Sequence, residues 1–152
     1  MKEAAMENVY IGTVLLEDGQ GNKGAMPCYA TAHAAGADVA LPCDVEIKAH
    51  SRAAWIDLLV GFEIPHGKVL MLQPRSSTSR KWGVTCDTGI IDSDYVNKPI
   101  HCALINYTDE DVVIEKGTRV VQLLCFDAQN VATWERKNVD RDSAAGSGST
   151  GD

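Results

Sequence analysis

The chain has no apolar run approaching the roughly 20 residues that a membrane-crossing helix needs, so none is expected. It has no Cys-x-x-Cys pair, and its four histidines show no ligand spacing, which removes the common zinc frameworks. The five cysteines (Cys28, Cys43, Cys86, Cys102 and Cys125) are odd in number and widely spaced. They are read as small buried hydrophobes of a reducing compartment rather than as a disulfide scaffold. Basic excess is missing too. A formal charge of −7 argues against a general nucleic-acid binder, which needs a cationic face to displace counterions. A few local donors can still hold a small phosphorylated molecule on an acidic protein. Met1 to Val9 carry acids and no apolar h-region, so no signal peptide is expected. There is no internal repeat.

What is present is the composition of an ordinary globular domain, 45% hydrophobic and 23% charged over 152 residues, long enough to bury a substantial core. Short β-rich runs follow one another closely: Val9 to Leu16, Met26 to Thr31, Ala37 to Leu41, Val45 to Ile47 and Ala53 to Ile64. Lys68 to Gln73, Val112 to Glu115 and Thr118 to Phe126 continue the series, separated by turns at Pro65-His66-Gly67 and Lys116-Gly117. Ser76 to Lys81 is the single helical candidate, with hydroxyls to cap it. Many short strands at close spacing predict an all-β barrel or sandwich. The division expected is a barrel over 1–139 and a glycine-rich arm over 140–152, whose composition offers no apolar face to bury.

One stretch carries chemistry. Gly89-Ile90-Ile91-Asp92-Ser93-Asp94-Tyr95 reads as a buried strand end running into a polar turn. With the apolar run Pro99 to Tyr107 behind it, a hairpin is expected, bent at Asp92. A carboxylate held at a strand end is suited to orient and deprotonate a water. The alternative is that Asp92 and Asp94 cap a surface turn.

Five stretches, in order, resemble the motifs of the trimeric dUTP pyrophosphatase (dUTPase) family, which has viral members. They are Ala35-Gly36-Ala37-Asp38-Val39, Pro74-Arg75-Ser76-Ser77-Thr78-Ser79, the Gly89 to Tyr95 stretch with Asn106, Gly117 to Leu123, and Arg141 with Gly146 to Gly151. The resemblance implies a jelly-roll-like β barrel forming a homotrimer, with active sites at subunit junctions closed by the C-terminal tail. It implies Mg²⁺-assisted hydrolysis of dUTP to dUMP and pyrophosphate, which limits uracil incorporation into DNA. In it Asp92 activates the water that attacks the α-phosphorus. Gly89, Ile90, Ile91 and Ile100 contact uracil, with Cys86 nearby, and Tyr95 lies under the deoxyribose. Arg75, Ser76, Ser77 and Gln122 meet the phosphates, the tail residues Arg141, Ser147 and Gly148 close over the nucleotide, and Asp38 holds magnesium through water. Neither nucleic acid nor membrane is an expected partner. The expected location is intracellular, cytoplasmic or nuclear, with virion association for a viral member.

This sequence departs from that pattern at Ser147, where the family carries a uracil-stacking aromatic, and at Arg141, which Asp142 follows in place of glycine. Cys86 stands where many members have asparagine, and Asn97 replaces a hairpin glycine, a mild change because Asn tolerates positive φ. Gln122 lies in an apolar run and needs a partner, either a phosphate oxygen or a neighbouring subunit. Two other readings stay open: a dUTPase-derived protein-interaction module with weakened catalysis, and a dCTP deaminase, which shares the fold.

Overall fold

A computed structural model describes residues 8–53 and 55–138. In chain order the elements are β1 (Gly12–Leu15), β2 (Ala37–Ala40), β3 (Val45–Ile47), β4 (Ser51–Arg52), β5 (Ile56–Asp57), β6 (Val60–Glu63) and β7 (Lys68–Pro74). The helix α1 (Ser76–Trp82) follows, then β8 (Val84–Cys86), β9 (Gly89–Ile91), β10 (His101–Cys102), β11 (Leu104–Asn106), β12 (Val112–Ile114) and β13 (Arg119–Asp127). The strand ladders are antiparallel and group as β1-β6, β10-β5, β4-β11-β8, β12-β3 and β2-β13-β7-β9. They wrap one apolar core, with Val39, Ile47, Leu58, Val60, Leu104, Ile114, Val120 and Val121 fully buried. The result is the expected all-β, jelly-roll-like barrel with one short helix.

Strand β13 shows how local irregularity builds the site. A strict alternation would bury every second residue, yet Val120 and Val121 are both buried. A register shift against β2 between Arg119 and Val121 accounts for this, since a bulge inserts one residue and re-aims its neighbours. The Val120 carbonyl there accepts the Thr78 hydroxyl at 2.8 Å and the Arg75 N–H at 3.3 Å, docking the start of α1 onto the strand. Asn106 organises the opposite corner. Buried and fully paired, it donates to the carbonyls of Ile47 (3.0 Å) and Glu110 (2.8 Å) and accepts from Thr108.

Four expectations are corrected. The strands flanking Asp92 do not pair as a hairpin: β9 pairs with β7, β10 with β5, and β11 with β4 and β8. Alternation marks a segment as strand but carries no information about its partner. Met26 to Thr31 is no strand; only Cys28 bridges to Asp38. Ala53 to Ile64 is interrupted at Leu59, whose φ of 55° breaks the pleat while its N–H donates to Asp57 Oδ1 at 2.7 Å. Helix α1 begins at Arg75 without a side-chain cap, the nearest buried hydroxyl, on Thr78, being spent on Val120.

Candidate active site

Asp38 lies on β2, where main-chain bonds to Cys28 (3.0 and 2.7 Å) fix its backbone, and it is only 4% exposed. A buried carboxylate needs partners. Arg75 supplies one, its Nε 3.0 Å from Asp38 Oδ1. Arg75 Nη1 also donates to the Arg119 carbonyl at 2.9 Å, so its guanidinium is held at both ends. Asp38 Oδ2 has no hydrogen-bond partner among the described residues; Arg119 Nη1 stands 3.9 Å away. Beside this pair a cavity of about 320 Å³ is lined by Gly36, Asp38, Arg75, Ser76, Ser77, Arg80 and Gln122, among others. Two arginines and two hydroxyls around one opening, with the sole acid already paired, suit a polyanion. Arg80 escaped the sequence reading, although its place four residues after Ser76 puts both on one helix face.

Gln122 faces Asp38 and Gln73 across the β13 ladders. Its Nε2 donates to the Pro74 carbonyl at 3.2 Å, so one of the partners it needs comes from its own chain. Its Oε1 occupies the space a side chain at Gly36 would take.

A second cavity, of about 240 Å³, opens between Gly89, Ile90 and Ile91 on one side and Ile100 and His101 on the other, with Trp55, Leu72 and Tyr95. The absence of β9–β10 pairing is what leaves this gap. Because β9 is the edge strand of its sheet, main-chain groups on its other side remain beside the cavity. Ile100 differs: its N–H donates to Val60 (2.9 Å) and its carbonyl accepts from Leu58 (3.0 Å), so it presents mainly its side chain. The Tyr95 hydroxyl donates to the Pro99 carbonyl at 2.9 Å, and its ring packs against the core, which fixes it. Trp55, Leu72 and His101 were missed in the sequence because only the β10–β5 pairing brings the first and last there.

Asp92 is exposed, and its main-chain carbonyl accepts the Tyr95 N–H at 3.1 Å. It does not line the second cavity. It lines a separate polar opening of about 410 Å³ with His66, Lys68, Ser93 and Asp94. Cys86 does not line that cavity either: it is buried on β8 opposite Leu104, and burial pushes its thiol up to about 12, as it does that of Cys102. The other cysteines depart from the expectation of burial, Cys125 being exposed and Cys28 and Cys43 half-buried. Arg141, Ser147 and Gly148 lie outside the described residues.

An antiparallel barrel with a ring-sized apolar slot, a cationic cleft and a loop-held carboxylate defines a β-barrel enzyme acting on nucleotides. The comparisons are narrower. The family model described as dUTPase matches residues 22–151. The deoxyuridine 5'-triphosphate nucleotidohydrolase of Beijerinckia indica is 39% identical over 136 residues, spanning 84% of this chain and 83% of that protein. The dUTPase of Streptococcus mutans superposes with a TM-score of 0.70 at 32% identity, over 80% of this chain and 99% of that one. A mutant dUTPase of S. aureus phage phi11, whose structure describes coordination of a structural Mg(II) ion, shares the fold (TM-score 0.73, 19% identity, 86% and 99% covered). The chain belongs to the dUTPase family. It is a dUTP diphosphatase, hydrolysing dUTP to dUMP and pyrophosphate. Among the described residues no helix is long and apolar enough to cross a membrane.

Proposed function

We propose that uracil enters the gap between β9 and Ile100-His101 while the triphosphate lies in the Arg75–Arg80 cleft of a neighbouring copy in a homotrimer. The observation that carries this is the separation of the parts: the two cavities share no lining residue within one chain, and Asp92 opens onto a third. The open edge of β9 offers donors and acceptors to the uracil edge, and the narrow gap has no room for a 5-methyl group. Tyr95, held by Pro99, lies under the deoxyribose and leaves no space for a 2′-hydroxyl. Arg75, Ser76, Ser77 and Arg80 neutralise and orient the phosphates, and the second amide N–H of Gln122 is left for one of their oxygens. Asp92 accepts a proton from water as the water oxygen bonds to the α-phosphorus. The bond from that phosphorus to the bridging oxygen breaks, and pyrophosphate leaves. Arg141, Ser147 and Gly148 of the C-terminal segment close the site.

Asp38 fits magnesium through water. Its buried, unpartnered Oδ2 lacks a donor, which a metal-bound water provides, while no cluster of three ligating side chains among the described residues makes a direct cage. When bound, the ion supplies neutralisation of charge on the phosphate oxygens.

The test is Asp92→Asn, nearly isosteric and exposed, so the loop should stand. The expected result is retained dUTP binding with turnover reduced by about 10²–10⁴. Near-normal turnover would leave Asp92 as a turn residue only. A wild-type protein that binds but does not hydrolyse dUTP would favour the interaction-module reading.

A further inference from the structure

We propose that Trp55 is the aromatic face against which uracil stacks, an assignment that rests on reading the 240 Å³ cavity as the base site. Trp55 lines that cavity and is 64% exposed, a large apolar surface in water at the place where a flat ring is to bind. Its backbone is not loose. The Ala53 N–H donates to the Leu104 carbonyl at 2.8 Å, and Ile56 pairs with Cys102, so the chain is anchored on both sides of the tryptophan.

The indole is also held by a cation. The Arg52 guanidinium lies over the ring, 5.5 Å from its centroid, and is ion-paired to Asp87, whose own N–H donates to the Ala103 carbonyl at 3.2 Å. A cation over one face leaves the other for a ligand and pre-orders the ring, which lowers the entropy lost on stacking. The remaining walls are Gly89, the aliphatic Leu72, Ile90, Ile91 and Ile100, Tyr95, whose ring is packed against the core, and His101, a smaller ring whose Nε2 stands 3.8 Å from Asp57. Trp55 offers the broadest exposed aromatic face among them. Residues 135–152 contain no Phe, Trp or Tyr.

The experiment titrates the full chain with dUMP, following tryptophan emission, and measures dUTP kinetics for wild type, Trp55→Phe and Trp55→Ala. The expected result is saturable quenching in wild type that is lost in Trp55→Phe, with the phenylalanine keeping KM near the wild-type value. Trp55→Ala should raise KM for dUTP about tenfold to a hundredfold, with a smaller change in kcat. Quenching that persists in Trp55→Phe, or an unchanged KM in Trp55→Ala, overturns the assignment while dUTP hydrolysis continues. A change in oligomeric state alone, without either effect, makes Trp55 a subunit contact and also overturns it. Wild-type protein that neither is quenched by dUMP nor hydrolyses dUTP overturns the reading of the cavity itself.

Discussion

Gly36 and Gln122 form a close pairing at the residue scale. A Cβ at position 36 would overlap the Gln122 amide, and the amide in turn donates to the Pro74 carbonyl, next in sequence to Arg75 of the cleft. The obstacle is the end of a flexible, half-buried side chain, so overpacking here should cost no more than about 1–3 kcal/mol. The displaced amide matters more, because a misplacement of about 1 Å can cost as much as 10²-fold in rate. Gly36→Ala is expected to melt no more than several degrees below wild type yet lose kcat/KM for dUTP clearly; thermal melts alongside steady-state kinetics check this. The sequence marked Gly36 by its motif, and Gln122 as an amide in need of a partner. The identity of that partner was hidden because Pro74 is 48 positions away and meets Gln122 only through the β13–β7 ladder.

Among the elements, the loop between β9 and β10 shapes the 240 Å³ cavity, to which it contributes Tyr95 and Ile100. Asn97 adopts a φ of 56°, donates its N–H to the Phe62 carbonyl at 2.9 Å, and bonds Glu63 at 3.0 Å. The left-handed conformation costs an ordinary residue about 1–2 kcal/mol, more for a β-branched one. Asn97→Gly is expected to be near neutral, because relief of φ offsets the lost exposed hydrogen bond, whereas Asn97→Val should destabilise by about 2 kcal/mol. Urea unfolding of the two variants separates them, and equal midpoints would remove the conformational argument. This positive φ was legible in the sequence from the residue type. The pairing was not, since Gly89–Ile91 and the run from Pro99 look like two arms of a hairpin until β7 and β5 claim them.

At the scale of the whole molecule, burial sets the stability and the proposed assembly would complete the site. The separate cavities and the family relationship motivate the expectation of a homotrimer. Light scattering at low micromolar concentration is expected to give three times the chain mass, and a fully active monomer would refute the shared-site arrangement. Burial also makes stability depend on alkaline pH. Cys86 and Cys102 titrate at about 12 when folded against 9.0 when free, because burial penalises the thiolate. A raised folded value means the unfolded chain loses these protons first. Their contribution is complete below pH 9 and is lost as pH rises from 9 to 12, by up to about 1.4 kcal/mol per thiol per pH unit. Urea midpoints should fall across that window, and less steeply in Cys102→Ala.

The sequence by itself determined the class of fold, the strands over most of their lengths and the family, and it singled out Asp38, Arg75, Ser76, Ser77, Asp92 and Tyr95 as candidates for the chemistry. These are written locally, in hydrophobic alternation, turn residues and short motifs. Tertiary structure alone decided which strands are neighbours, and with them the open gap between β9 and β10. It buried Cys86 on β8 while leaving Cys125 exposed, and the bulge in β13 set the Val120 carbonyl to dock Arg75 and Thr78. It also carried Trp55 and Arg80 into the cavities. The physical reason is the same in each case. A strand's period shows that it is half-buried, but pairing is a long-range choice among many compatible edges, and a side chain's role follows from what that choice sets beside it.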